Sequence, residues 1–137
     1  MISLQRTTGW EQRLFAYTSG MLAIPFDYGT NDCVLFAASC VEVMTGVDLA
    51  TEYRGKYNTK AGALRIIAET GADSLGDFVA SFLPEKEVSF MQRGDLGIFE
   101  GEDGDFVGVC QGKECIGPTR LGLVRIKTLS AHRAFKV

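Results

Sequence analysis

The chain has 137 residues, 46% hydrophobic and 23% charged, with a formal net charge of −3. That length suits one domain with its own core, and the acidic balance, with no Lys/Arg cluster against it, excludes a nucleic-acid footprint. No apolar run approaches the ~20 residues of a membrane span; "MISLQRTTGWEQR" lacks the apolar stretch of a secretory signal, so the four cysteines are expected reduced, in a cytoplasm.

Taken in chain order, Thr8-Gly9-Trp10-Glu11 reads as a capping box, with Thr8 as cap and Glu11 at the third helical position. Trp10, Leu14, Tyr17 and Met21 follow at helical spacing, which predicts a first helix to about Gly20. After a loop with Pro25 and Gly29, Asp32 or Asn31 caps a second helix, over about residues 32–45 and closed by Gly46. This segment is apolar nearly all round (Val34, Leu35, Phe36, Ala37, Ala38, Val41, Val43, Met44), the pattern of a buried central helix. A polar, aromatic-bearing connection, "VDLATEYRGKY", leads to a third helix from Asn58 or Thr59, with Ala61, Leu64 and Ile67/Ala68 on one face. Ser74 with Asp77 opens a short fourth helix, whose Leu75, Phe78, Val79 and Phe82 face the core before Pro84.

From Val88 the grammar changes. Residues 95–99, 106–110, 114–118, 122–129 and 132–137 are short β-rich runs separated by Gly-bearing turns. Helices over about 1–84 followed by an antiparallel meander over about 88–137 make one α+β domain, with the central helix packed on the sheet.

Cys33 stands where a turn runs into the central helix, a place where unpaired N–H groups and the macrodipole favour a thiolate. Asp32 beside it works the other way unless it turns aside as the cap. The alternative is a small buried residue, since free cysteine is among the most buried types. Cys40 lies seven residues on, ~10.5 Å along the helix, too far for a disulfide or a shared metal ion, and belongs to the core. Cys110 and Cys115 bracket "QGKE"; with Gly112-Lys113 as a hairpin turn they face each other as two packed thiols, in a geometry that would permit a disulfide. Lacking a second pair, they do not form a zinc or iron–sulfur site, so no metal and no cofactor is expected. "EGEDGD" lacks the spacing of a calcium loop, and Asp103-Gly104 reads as a hairpin turn. His132, the one histidine, sits near the C-terminus in an expected edge strand and is the only general base of ordinary neutral-pH type.

"NDCVLFAASC" opening a buried helix, then "RGDLGIF", then "FVGVCQG" and another strand, together resemble the NlpC-type cell-wall peptidases, compact members of the papain-like cysteine peptidase superfamily. The similarity spans roughly residues 25 to 130 in element order. It implies Cys33 as nucleophile with Asp32 before it. It also puts Phe106 where the catalytic histidine belongs, beside Val107-Gly108-Val109, and brings the third polar position near Pro118. Amide cleavage by a thiol needs a base to hold the thiolate and an acid for the leaving amine, so the loss is serious. His132 would substitute only if its strand lay beside the start of the central helix.

More narrowly, "GTNDCVLFAA", "MTGVD", "YRGKY", "RGDLGIF" and the closing "RAFKV" resemble a small domain family encoded in the tail gene clusters of phages and prophages. That resemblance implies a bacteriophage virion protein of the tail tip or baseplate. It would be made in the host bacterial cytoplasm and packed against hub and distal tail proteins. Tyr53, Arg54 and Tyr57 would be its partner-binding anchors, unless they pack on their own domain. Two other roles compete: an active peptidoglycan endopeptidase using Cys33 and His132, and a cytoplasmic tail-assembly factor. The missing histidine favours the structural role.

Overall fold

The computed structural model describes residues 4–137. Helix α1 (Trp10–Gly20) begins after Gly9, whose φ of +83° makes it the cap residue, with no side chain to accept a hydrogen bond. The expected capping box at Thr8 is therefore not formed. Arg13 ties the helix start instead, donating to the carbonyls of Thr8 at 2.8 Å and Val43 at 2.7 Å.

Helix α2 (Cys33–Thr45) is capped by Asp32, which accepts the Leu35 N–H at 2.9 Å, and ends at Gly46 in the left-handed region. Its all-round apolarity has a spatial cause. Phe36, Cys40, Val41 and Met44 enter the main core with Leu14, Ile98, Val109 and Phe135. Leu35 and Ala38 enter a separate cluster with Ala50, bordered by Tyr53 and Tyr57. Helix α3 (Lys60–Glu69) is capped by Thr59, and α4 (Leu75–Ala80) by Ser74. The apolar face of α3 is not in a core. None of its residues is buried, and Leu64 is 55% exposed.

The strands are β1 (Glu85–Lys86), β2 (Leu96–Gly101), β3 (Gly104–Cys110), β4 (Glu114–Thr119), β5 (Gly122–Lys127) and β6 (Arg133–Phe135). They form one six-stranded antiparallel sheet in the order β1-β6-β2-β3-β4-β5. The α+β architecture holds, with α2 packed on the sheet through Phe36, Val41, Val107, Val109 and Ile116. All five predicted runs contain a strand. The β2–β3 turn sits on Glu102-Asp103, one residue before the expected pair, because Gly104 already pairs with Gly101. The run at 122–129 ends early in a 3-10 turn, Thr128–Ser130. Strand β6 is interior, between β1 and β2, so the strand beside His132 is not the expected edge. The C-terminal segment reaches that slot because Leu96 pairs with Phe135 and Ile98 with Arg133, joining "RGDLGIF" to "RAFKV".

The helical and β parts are tied at Asp95, 1% exposed. Its carboxylate accepts from Arg6 (3.0 Å), Lys86 (2.7 Å), and the N–H groups of Gln92 (2.9 Å) and Val137 (3.1 Å). A buried carboxylate is tolerated only when its oxygens are satisfied and its charge is paired, and both conditions are met. The RGD tripeptide is thus a structural junction leading into β2. No helix among the described residues is long and apolar enough to cross a membrane.

Candidate binding cleft

The turn before α2 is shaped by one close approach. Gly29 has φ +87°, and a Cβ there would lie 1.8 Å from the Tyr57 carbonyl oxygen, so only glycine lets the two loops meet. Gly55 donates to the Gly29 carbonyl at 2.9 Å. The Asp32 carboxylate then gathers three donors: Leu35 N–H at 2.9 Å, Gly29 N–H at 3.0 Å and the Tyr57 hydroxyl at 2.5 Å. Asp32 is 4% exposed and is spent on holding the turn. The Tyr57 hydroxyl is correspondingly hard to ionise, its pKa pushed up by burial and by the carboxylate it donates to.

Cys33 follows at the first position of α2, packed between the main core and a second cluster of Phe99, Phe106, Cys110, Cys115 and Ala131. Two effects compete at its thiol. The helix start and backbone hydrogen bonding at Val107 favour the thiolate, whereas burial disfavours it and the Asp32 charge adds to the penalty. Burial of the sulfur wins, although the residue as a whole is only half-buried at the cleft wall, and the thiol is pushed up to about 12.

Phe106, at the position where the resemblance expects a base, is buried and stacks on Phe99 with ring centroids 5.6 Å apart. The stack fits because β2 and β3 carry glycines under it; a Cβ on Gly108 would lie 2.8 Å from the Phe99 ring. Cys33, Phe106 and Pro118 line one cleft of about 730 Å³ between α3, the α2 start and the β2–β3 and β4–β5 hairpins. His132 is not among the described residues lining it. Its Nε2 lies 3.6 Å from Oδ2 of Asp105, which does line the cleft.

Tyr53, Arg54 and Tyr57 have partners within the domain. Tyr53 packs edge-on against Phe78 and Phe82, with centroids at 5.6 and 6.3 Å. Arg54 pairs with Asp48 at 2.9 Å and donates to Ser39 at 3.0 Å. All three side chains thus make contacts within the domain while remaining partly exposed.

Cys110 and Cys115 are directly opposite on β3 and β4, both fully buried and unbonded. Thr128 Oγ1 lies between them, 3.8 and 3.6 Å from their sulfurs. The thiols titrate as a pair: Cys115 is raised by its hydrogen bond to Cys110 and by burial, and Cys110 is lowered by receiving that bond. Cys40 is fully buried in the main core. Among the described residues, no group of three or more His, Cys, Asp or Glu side chains is placed to hold a metal ion.

Sequence reasoning missed the cleft walls. Ala63, Leu64, Ile67 and Ala68 of α3 line one side, and Phe26 and Tyr28 stand at another. The apolar stripe of α3 was the available signal, but a stripe facing a cleft and one facing a core have the same period.

The fold and this site define an α+β domain with a helix-start cysteine set in the wall of an open, largely apolar cleft. Residues 5–137 match the family described as Domain of unknown function (DUF6950), and the chain belongs to that family. No curated protein matches the chain.

Proposed function

We propose that this domain is a non-catalytic, NlpC-like scaffold acting as a structural subunit of a bacteriophage tail tip, with its cleft and exposed apolar side chains as docking surface. The observation that carries the non-catalytic part is the environment of Cys33. Its thiol is pushed towards the protonated form, mainly by burial, and the residue packs against the cluster that contains Phe106. The position where the resemblance expects the base holds Phe106, and His132 is not among the described residues lining the cleft with Cys33. Among the described residues, seven large apolar side chains are exposed, including Phe15, Phe90, Leu121 and Leu129 at 69–77%. The tail assignment rests on the sequence words shared with tail-cluster domains.

Two measurements test the reading. Purified murein is incubated with wild type and Cys33→Ala, and released fragments are quantified. Equal, background-level release is expected, and Cys33-dependent release would overturn the non-catalytic role. Mass spectrometry of purified phage particles should find the chain at stoichiometric copy number. Presence in assembly intermediates but not in finished particles would replace the structural role with that of an assembly factor.

A further inference from the structure

We infer that the cleft takes an extended, cation-bearing apolar segment of a partner protein, which adds as a strand beside β5. This rests on the docking role proposed above and names the chemistry of the partner.

Three observations meet at this site. First, α3 turns Ala63, Leu64, Ile67 and Ala68 to the cleft, yet none of its residues is buried. A ten-residue helix is marginal on propensity alone and relies on covering its apolar face. The facing wall is also apolar, with Phe106, Val124 and Ile126, and the volume of about 730 Å³ lies in the range of ligand sites. Second, the rim is acidic. Asp73, Glu100 and Glu102 stand around the opening, with Asp105 beside His132 at 3.6 Å. Its two basic residues are already engaged with Asp103: Arg120 through two bonds of 2.7 and 2.8 Å, Lys60 through the backbone oxygen at 2.5 Å. The uncompensated charge is therefore negative and selects a cation. It also disfavours a second copy of this chain, whose net charge is −3.

Third, β5 is an edge strand, and Val124 and Ile126 of its inner face line the cleft. Among the described residues, its backbone is paired only with β4. A free row of N–H and C=O groups beside an apolar cleft selects a polypeptide main chain over a small amine. Alternate side chains of such a strand would enter the cleft next to Val124 and Ile126, and its lysine or arginine would be drawn by the acidic field of the rim.

The test is selection of a yeast-displayed random peptide library on the full chain, followed by fluorescence anisotropy with an enriched peptide. Enriched sequences should alternate apolar residues, carry Lys or Arg, and lack Asp and Glu. The Glu100→Gln/Glu102→Gln variant should bind about tenfold more weakly at low salt, a gap that closes at high salt. Leu64→Asp and a backbone N-methylated peptide should each also lose about tenfold. Thermal melts by circular dichroism confirm that both variants are folded. No enrichment, enrichment of acidic peptides, or affinity indifferent to the rim glutamates overturns the inference. Self-association in sedimentation that Leu64→Asp abolishes would assign the cleft to a second copy instead. A peptide failure with murein left intact sinks only this inference, whereas Cys33-dependent murein release sinks the non-catalytic reading.

Discussion

The reactivity of Cys33 is the sharpest consequence of its surroundings. Its thiol is shifted from an ordinary 9.0 to about 12, mainly by burial. At pH 7 that leaves roughly one thiolate in 10⁵, against about one in 10² for an exposed thiol, a deficit of about a thousandfold. Alkylation by iodoacetamide, followed by intact mass and peptide mapping at pH 7, should be slower at Cys33 than at a cysteine in a short peptide by roughly that factor. Buried Cys40, Cys110 and Cys115 serve as internal references. The decisive variant is Phe106→His, which puts an imidazole into the cluster that already touches Cys33. It forfeits the stack on Phe99 and buries a polar ring, so a stability loss of about 2–4 kcal/mol is expected. In return the thiolate gains a cationic partner, and alkylation at Cys33 should accelerate by at least about tenfold. Alkylation of the wild type at the free-peptide rate would refute the reasoning, since it would mean that the helix start, not burial, governs the thiol.

Asp95→Ala should cost about 3–5 kcal/mol in urea unfolding, because Arg6 and Lys86 would be left facing an emptied buried site; a loss under about 1 kcal/mol would show that the junction is not needed. Gly29→Ala combines a left-handed φ with a Cβ 1.8 Å from the Tyr57 carbonyl and should cost about 3 kcal/mol or more. Gly55→Ala, at φ +72° with nothing within 4 Å, should cost only about 1 kcal/mol, and equal losses would remove the close approach as the cause. The Asp48 carboxyl is held below its ordinary 3.8 by the Arg54 guanidinium, so its contribution to stability is complete above that value and fades as pH falls through the lower, folded-state pKa. Asp48→Asn should therefore be less stable than wild type at pH 7, with the gap closing under acid below about pH 4; a gap independent of pH would point to packing rather than charge. Tyr57→Phe removes the hydroxyl from Asp32 while leaving the helix cap, and about 1–2 kcal/mol should be lost from the thermal or urea transition.

Local chemistry was legible wherever a residue acts on its own neighbourhood. The cap of α2 at Asp32 or Asn31, its stop at Gly46, the α3 start at Asn58 or Thr59, the Ser74 cap and the Gly112-Lys113 turn follow from local chemistry within a few residues, and the structure selects Asp32 and Thr59. The same reasoning misplaced the α1 cap at Thr8, because Arg13 reaches across to Val43 and no local rule contains that contact.

The sequence by itself thus determined the class of fold, the buried central helix with Cys33 at its head, and the packing of Cys40, Cys110 and Cys115, because hydrophobic period and turn chemistry are properties of short segments. Only the tertiary structure decided what surrounds that cysteine. Strand order placed β6 inside the sheet and left His132 beside Asp105, while β3 carried Phe106 into the cluster against which Cys33 packs. It also decided that α3 faces a cleft rather than a core, since period says that a helix has an apolar side but not what lies opposite. Those outcomes depend on contacts between residues far apart in the chain, and long-range pairing carries no signature in any one of the segments it joins.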